Sequence, residues 1–364
     1  MFCSCGYRDI YDFNNGGLPK LSKDSYRNPS RSEYTKDRLL KLNGTDYLRT
    51  ILEEIINRIV VKKKYPELHE IARKDTSMVK MTKDLAWTQL GYLILNNVDA
   101  LLLMGFNGPV MVSIYTTYNY ILRFLTEIAS RVELSSVYSF GNVFAKKEEK
   151  RVYPLFKEYM MMFILIAFSM CLTFMIGIRG FVSVWVGKEN YILDYITIVL
   201  FTSTSFLNIL YFPLVALINA DGLFKDNKKH IFICASVNLI LSIILINYLG
   251  INGILLGTGV AFLVNIALKS NLISKKITKE IKLSNILKYY IITIILFVVL
   301  SVALKPVENY FLLTAGGFIT TILKLGIIFI IITLLTSLIL YVVSNDAKNL
   351  FRRLLNLIKR KLKK

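Results

Sequence analysis

The sequence predicts an all-α, polytopic membrane helix bundle of about eight transmembrane helices. Two observations carry that prediction. Eight long apolar stretches follow one another from residue 85 onward, at about 85–104, 110–130, 158–178, 192–217, 230–249, 251–270, 287–304 and 316–343. Each is long enough to cross roughly 30 Å of hydrocarbon, which takes about 20 helical residues. The basic residues between them fall almost entirely in alternate connections. Residues 131–157, 218–229, 271–286 and the tail after 343 hold 21 Lys and Arg, against three in 105–109, 179–191 and 305–315. By the positive-inside rule the first set is cytoplasmic, which puts both termini inside. The composition agrees: 54% of the 364 residues are hydrophobic, and the net charge of +20 sits in loops and tails. That charge reads as topology and contact with anionic lipids rather than nucleic acid.

Residues 1–45 mix Asn, Gly, Ser, Asp, Lys and Arg without apolar periodicity and read as a flexible polar cytoplasmic arm. No cleaved signal peptide opens the chain. Residues 46–84 follow as an amphipathic helix and a cytoplasmic linker. In 46–64 apolar positions recur at helical spacing, but Glu53, Glu54 and Arg58 interrupt them, so an interfacial helix is expected, with Lys62, Lys63 and Lys64 at the headgroups. The spans then divide into a six-helix lobe, 85–272, and two additional helices, 273–343. Gly105-Phe106-Asn107-Gly108 is short enough to force the first two spans into an antiparallel hairpin.

Residues 344–364 close the chain as a basic amphipathic tail. Leu350, Leu354, Leu355 and Ile358 lie opposite its Arg and Lys residues. Its expected partner is the anionic inner leaflet. Salt-sensitive attachment of the tail peptide to acidic vesicles would test this, and binding indifferent to lipid charge would sink it.

Cys3 and Cys5 fall in the leader, and Cys171 and Cys234 within apolar spans, where a thiol behaves as a small hydrophobe. With His69 and His230 the only histidines, the sequence offers no metal site, no cofactor motif and no nucleophile–base pair. An enzyme is not expected. The glycines at 250, 253, 257 and 259 lack the Lys-Ser/Thr ending of a phosphate loop and read as helix packing. Tyr289, Tyr290, Tyr310 and Phe311, near span ends, are expected in interfacial belts.

Several segments appear in an order that resembles a known family. They are the basic run followed by YPEL at 62–68, NNVDALLL at 96–103, GPVMVSIYTTYNYI at 108–121, GNVFAKKEEK at 141–150, VWVGKENYILD at 184–194, INADGLFKDNKKH at 218–230 and GINGILLGTGV at 250–260. The set resembles the polysaccharide (O-antigen, Wzx-like) flippases of the multidrug, oligosaccharidyl-lipid and polysaccharide exporter superfamily. The resemblance implies an alternating-access carrier of undecaprenyl-linked glycan repeat units for O-antigen, capsule or exopolysaccharide, working beside polysaccharide assembly proteins. It also implies twelve to fourteen spans, so this chain corresponds to a second lobe plus two C-terminal helices. Its partner would then be a separate first lobe or a second copy in a homodimer. Two other readings stay open: a cation-coupled multidrug exporter of the same superfamily, and an inactive remnant or scaffold.

Charged groups inside a bilayer cost at least about 2.5 kcal/mol each, so they mark cavities, pathways or ion pairs. Asp99 lies in the first span beside Asn96 and Asn97. In the second, Arg123, Glu127 and Arg131 recur every four residues, and Tyr115 and Asn119 extend the stripe. The stripe either lines a cavity or holds itself together by i, i+4 pairing of Arg123 with Glu127. In the cavity reading, Arg123, Arg131, Asn119, Tyr115 and Asn208 bind substrate, and the arginine fork meets the pyrophosphate of a lipid-linked sugar. Asp99 and Glu127 form a site for the coupling ion, proton or sodium, or an ion pair with the arginines. Thr202, Ser203, Thr204 and Ser205 supply hydroxyls for sugar or for neighbouring helices, and Pro213 kinks the fourth span.

Overall fold

The computed structural model describes residues 76–277, 283–314 and 316–362, and before them positions 52, 55–57, 59, 60 and 63. The arm 1–45, the linker 65–75 and most of 46–64 lie outside the described residues. Residues 1–74 and 75–364 are separate units. In the first, the described positions are helical and exposed, with Leu52, Ile55, Ile56, Ile59 and Val60 all open.

The second unit is an all-α, multi-pass bundle, with seven described helices long and apolar enough to cross a membrane. The first, α1 (Thr76–Ala145), contains two of the expected spans. At Gly108 the backbone takes φ 80° and ψ 177°, a conformation essentially reserved for glycine, and Pro109 follows where a helix start needs no N–H. The chain reverses there. Arg123 donates to Asn97 at 3.1 Å, yet 26 residues of continuous helix would separate them by about 39 Å. The arms 76–107 and 109–145 therefore form the antiparallel hairpin that the short connection predicts.

Next come α2 (Glu149–Val186), α3 (Tyr195–Leu210) and α4 (Phe212–Asp221). The fourth span is thus two helices, broken at Tyr211, with Pro213 in the first turn of α4. Asp194 caps α3 by accepting from the Thr197 amide at 3.1 Å. Beyond them lie α5 (Phe224–Leu249), α6 (Ile251–Lys276), α7 (Leu283–Ala303), the short α8 (Lys305–Leu313), α9 (Phe318–Val343) and the tail helix α10 (Asn345–Leu362).

Helix α2 is the most buried of the membrane-length helices, and the second arm, α3, α8, α9 and α10 pack against it. The second arm meets it where Tyr159 donates to Ser139 at 2.7 Å, and Leu325 of α9 fills the space beside Gly177. Arg179 reaches both carboxylate oxygens of Glu308 on α8, at 3.2 and 3.3 Å. The tail helix docks by two ion pairs, Lys157–Asp346 at 3.2 Å and Arg353–Glu158 at 2.8 Å, with Ala347 and Leu350 buried beneath. Side chains from 354 onward lie outside the described residues.

Two of the aromatics expected in interfacial belts are core residues instead. Tyr290 is buried and donates to the Leu210 carbonyl at 2.8 Å, and Phe311 is buried on the inner face of α8. The break between α3 and α4 leaves that carbonyl without a helical partner, and Tyr290 supplies one. Tyr289 and Tyr310 are exposed. Cys171 and Cys234 are buried free thiols.

The hairpin of α5 and α6 is tight because of its small residues. A Cβ on Gly253 would lie 2.4 Å from the Leu245 carbonyl oxygen, and one on Gly257 would lie 2.5 Å from the Ser242 hydroxyl. Gly253→Ala forces backbone apart and is expected to destabilise the bundle by about 1–3 kcal/mol. Gly259→Ala, whose new methyl meets only the Thr204 methyl at 3.8 Å, is the control and should be neutral or slightly stabilising. Thermal unfolding in detergent reads both. Equal midpoints would contradict the close approach.

Candidate functional site

A small polar cavity opens among the two arms of α1, α3 and α6. Each arm supplies part of its polar lining. Asp99 comes from the first arm, Tyr115, Asn119, Arg123 and Thr126 from the second, Thr204, Ser205 and Asn208 from α3, and Thr258 from α6. Leu95, Leu122, Phe201, Leu255 and Phe262 complete the wall. Successive residues of the second arm are about one turn apart, so a single helical stripe faces the space. The stripe is held in place by Tyr115 and Tyr118, whose rings lie 5.2 and 6.0 Å from Phe201. Tyr118 also donates to the Tyr191 carbonyl and accepts from the Leu193 amide, which ties the arm to the loop ahead of α3.

Asp99 is the buried anchor, only 4% exposed. Its carboxylate accepts from the Tyr115 hydroxyl at 3.2 Å, the Thr258 hydroxyl at 3.0 Å and, at 3.5 Å, the Asn238 amide of α5. Asn238 lies 3.3 Å from the Leu95 carbonyl and accepts from Ser242 at 3.0 Å. Thr258 Oγ1 is also 3.2 Å from Asn238 Oδ1, and its one proton can serve only one of these two acceptors. The node is therefore rich in oxygen: the Asp99 carboxylate, the Asn238 and Leu95 carbonyls and three hydroxyls gather in one place. A small hard cation prefers such a shell of carboxylate, amide, hydroxyl and carbonyl oxygens. Among the described residues no three His, Cys, Asp or Glu side chains come together as ligands for a transition metal.

Arg123 stands at the open side of the cavity, with its guanidinium on Asn97 Oδ1. The i, i+4 pair expected with Glu127 does not form. Glu127 instead pairs with Arg131 at 2.7 Å, and both are more than 60% exposed. Neither lines the cavity, so the structure separates Arg131 from Asn119 and Arg123, and Glu127 from Asp99. The reason is the first arm: Asn97 offers Arg123 an acceptor on the neighbouring helix, and Glu127 is left to the next arginine along. The side chain of Asn96 lies outside the described residues.

The hydroxyl run of α3 divides. Thr202 and Ser203 donate to the Ile198 and Val199 carbonyls of their own helix, whereas Ser205 and Asn208 face the cavity. Thr204 does both, lining the space while donating to the Phe201 carbonyl at 2.8 Å. Sequence reasoning did not single out Asn238, Ser242 or Thr258. The available signal was Asn238 and Ser242 one turn apart in an otherwise apolar span.

Comparison with protein-family models, with curated proteins and with solved structures gives no match. Any function assigned to the cavity therefore rests on its residues.

Proposed function

We propose that this chain is a lipid-linked oligosaccharide flippase, or one lobe of such a carrier, in a bacterial plasma membrane with both termini cytoplasmic. The observation that carries the reading is the gathering of Asp99, Tyr115, Asn119, Arg123 and Asn208 into one cavity. Its arginine and its carboxylate are engaged by different neighbours, and its remaining lining mixes amides, hydroxyls and aromatic rings. A charged glycan head needs these groups: a planar cationic fork for phosphate oxygens and amide and hydroxyl groups for sugar. The polyprenyl chain stays in lipid outside.

Asp99 with Asn238, Thr258 and Ser242 is the coupling site, taking sodium or a proton. Movement of either would alter the contacts between the first arm, α5 and α6, because the node ties these three together. Arg123 and Asn97, bonded to each other within the first two spans, are exposed. A charge there is costly to expose to lipid, so a second lobe, in the form of another copy or a separate chain, covers it in the working carrier.

The direct test is reconstitution of the full chain in proteoliposomes with a fluorescent undecaprenyl pyrophosphate glycan. Carrier activity makes the label reachable by a membrane-impermeant quencher from the opposite leaflet. A rate equal to that of empty liposomes, at every protein density, would remove the reading that this chain flips the lipid alone or as a homodimer, and would leave only a lobe that needs a separate partner chain.

A further inference from the structure

The inner face of α6 continues past the cavity. Beyond Thr258 and Phe262 it runs, about one helical turn at a time, to Asn265 and Lys269, both completely buried. Phe262 lines the cavity and stacks on Tyr211 with ring centres 5.6 Å apart, whereas Tyr211, Asn265 and Lys269 do not line it. Lys269 donates to one neutral acceptor, Asn227 Oδ1 on α5, and its ammonium lies 5.8 Å from the centre of the Tyr92 ring. Among the described residues no carboxylate is within ion-pair distance of Lys269, whereas Lys228 pairs with Asp84 and Lys276 with Asp226. Neither amide atom of Asn265 has a hydrogen-bond partner in the protein.

This is an unusual economy for the interior of a membrane bundle. An ammonium has three donors and a carboxamide two donors and an acceptor, and leaving them unmet away from water is costly. Other buried polar groups on the same pair of helices are satisfied by one another, as Asn238, Ser242 and Thr258 are. Lys269 and Asn265, on one face and one turn apart, instead hold unused donors toward something the fold does not supply.

We propose that Lys269 and Asn265 form a second anion station, beneath the Phe262–Tyr211 stack, that takes the pyrophosphate of the substrate between the cavity and the basic end of the bundle. The proposal rests on the flippase reading for its ligand. The ammonium and the Asn265 amide donate to adjacent phosphate oxygens once the stacked rings part, and Tyr92 keeps the ammonium in place when the station is empty.

Cys234, buried on α5 two turns along the same face from Asn227, the acceptor of Lys269, is a built-in reporter. In the full chain with Cys3, Cys5 and Cys171 replaced by Ser, Ser and Ala, Cys234 is the only thiol. Its maleimide labelling in proteoliposomes should be slowed about tenfold by undecaprenyl pyrophosphate at ten times its Kd. Lys269→Gln should remove that protection and Asn265→Ala should weaken it, the latter serving alone if the lysine variant fails to fold. Ser205→Cys, with Cys234 also replaced by Ala, reports the cavity separately. Protection at Ser205→Cys without protection at Cys234 overturns the station and leaves the flippase reading standing. Protection at Cys234 alone supports the station and removes the cavity reading. Inorganic pyrophosphate acting like the lipid shows that the phosphates suffice, and protection by the lipid alone shows that the chain must carry them; either supports an anion site. Equal protection by uncharged undecaprenol, or by the ligand in both variants, overturns it.

Discussion

Arg123→Ala is expected to lower the flipping rate about 100-fold, the loss of one or two charge-assisted hydrogen bonds to a phosphate in a partly dry site. Insertion and thermal stability should be nearly unchanged, because the arginine sits at the open side of the cavity on Asn97 rather than inside the packed core. Arg123→Lys keeps the charge and loses the planar fork, so an intermediate rate is expected. Arg131→Ala removes only an exposed pair with Glu127 and should stay within about twofold of the wild type. The quencher assay measures all three side by side. Full activity of Arg123→Ala would make that residue a strut between the two arms. A large loss in Arg131→Ala would put the substrate path outside the cavity.

Asp99→Asn is expected to abolish ion-driven transport while preserving the fold. The carboxamide oxygen can still accept from Tyr115 and Thr258, so the three helices stay joined. The variant loses the charge that makes the oxygen shell attractive to a cation. Wild-type protein should gain about 1–3 kcal/mol of stability in sodium at ten to a hundred times its Kd, and the variant none. The wild-type gain should fade in acid as protonation removes the carboxylate. Thermal unfolding in sodium against choline chloride gives the answer without any transport assay. If neither sodium nor pH distinguishes the two proteins, Asp99 is only a fastening between helices.

The spans were legible because hydropathy needs no knowledge of neighbours, and so was the hairpin, since four loop residues leave the chain no other path. The stripe Tyr115, Asn119, Arg123 was legible for the same reason: helical spacing alone puts it on one face. What lay beyond reach was the choice of partner across helices. Spacing gives Arg123 an acid one turn away, and only the position of Asn97 on the other arm decides against it. The shell around Asp99 draws on α5 and α6, more than 130 residues along the chain, and no local pattern joins Asn238 and Thr258 to it. In α7 apolar residues occur on every side of the helix, so its sequence does not say that Tyr290 turns inward to the Leu210 carbonyl while Tyr289 turns out.

The reversal at Gly108 bears on biogenesis. A carboxylate at mid-helix is among the least favourable groups to hand from the translocon to lipid, at about 2.5–3.5 kcal/mol. The glycine brings Tyr115 back onto Asp99 within 16 residues, long before the ribosome has made α5 or α6. The first two spans thus leave the translocon as one unit, with their acid already hydrogen-bonded, and the hairpin becomes the template on which the later helices assemble.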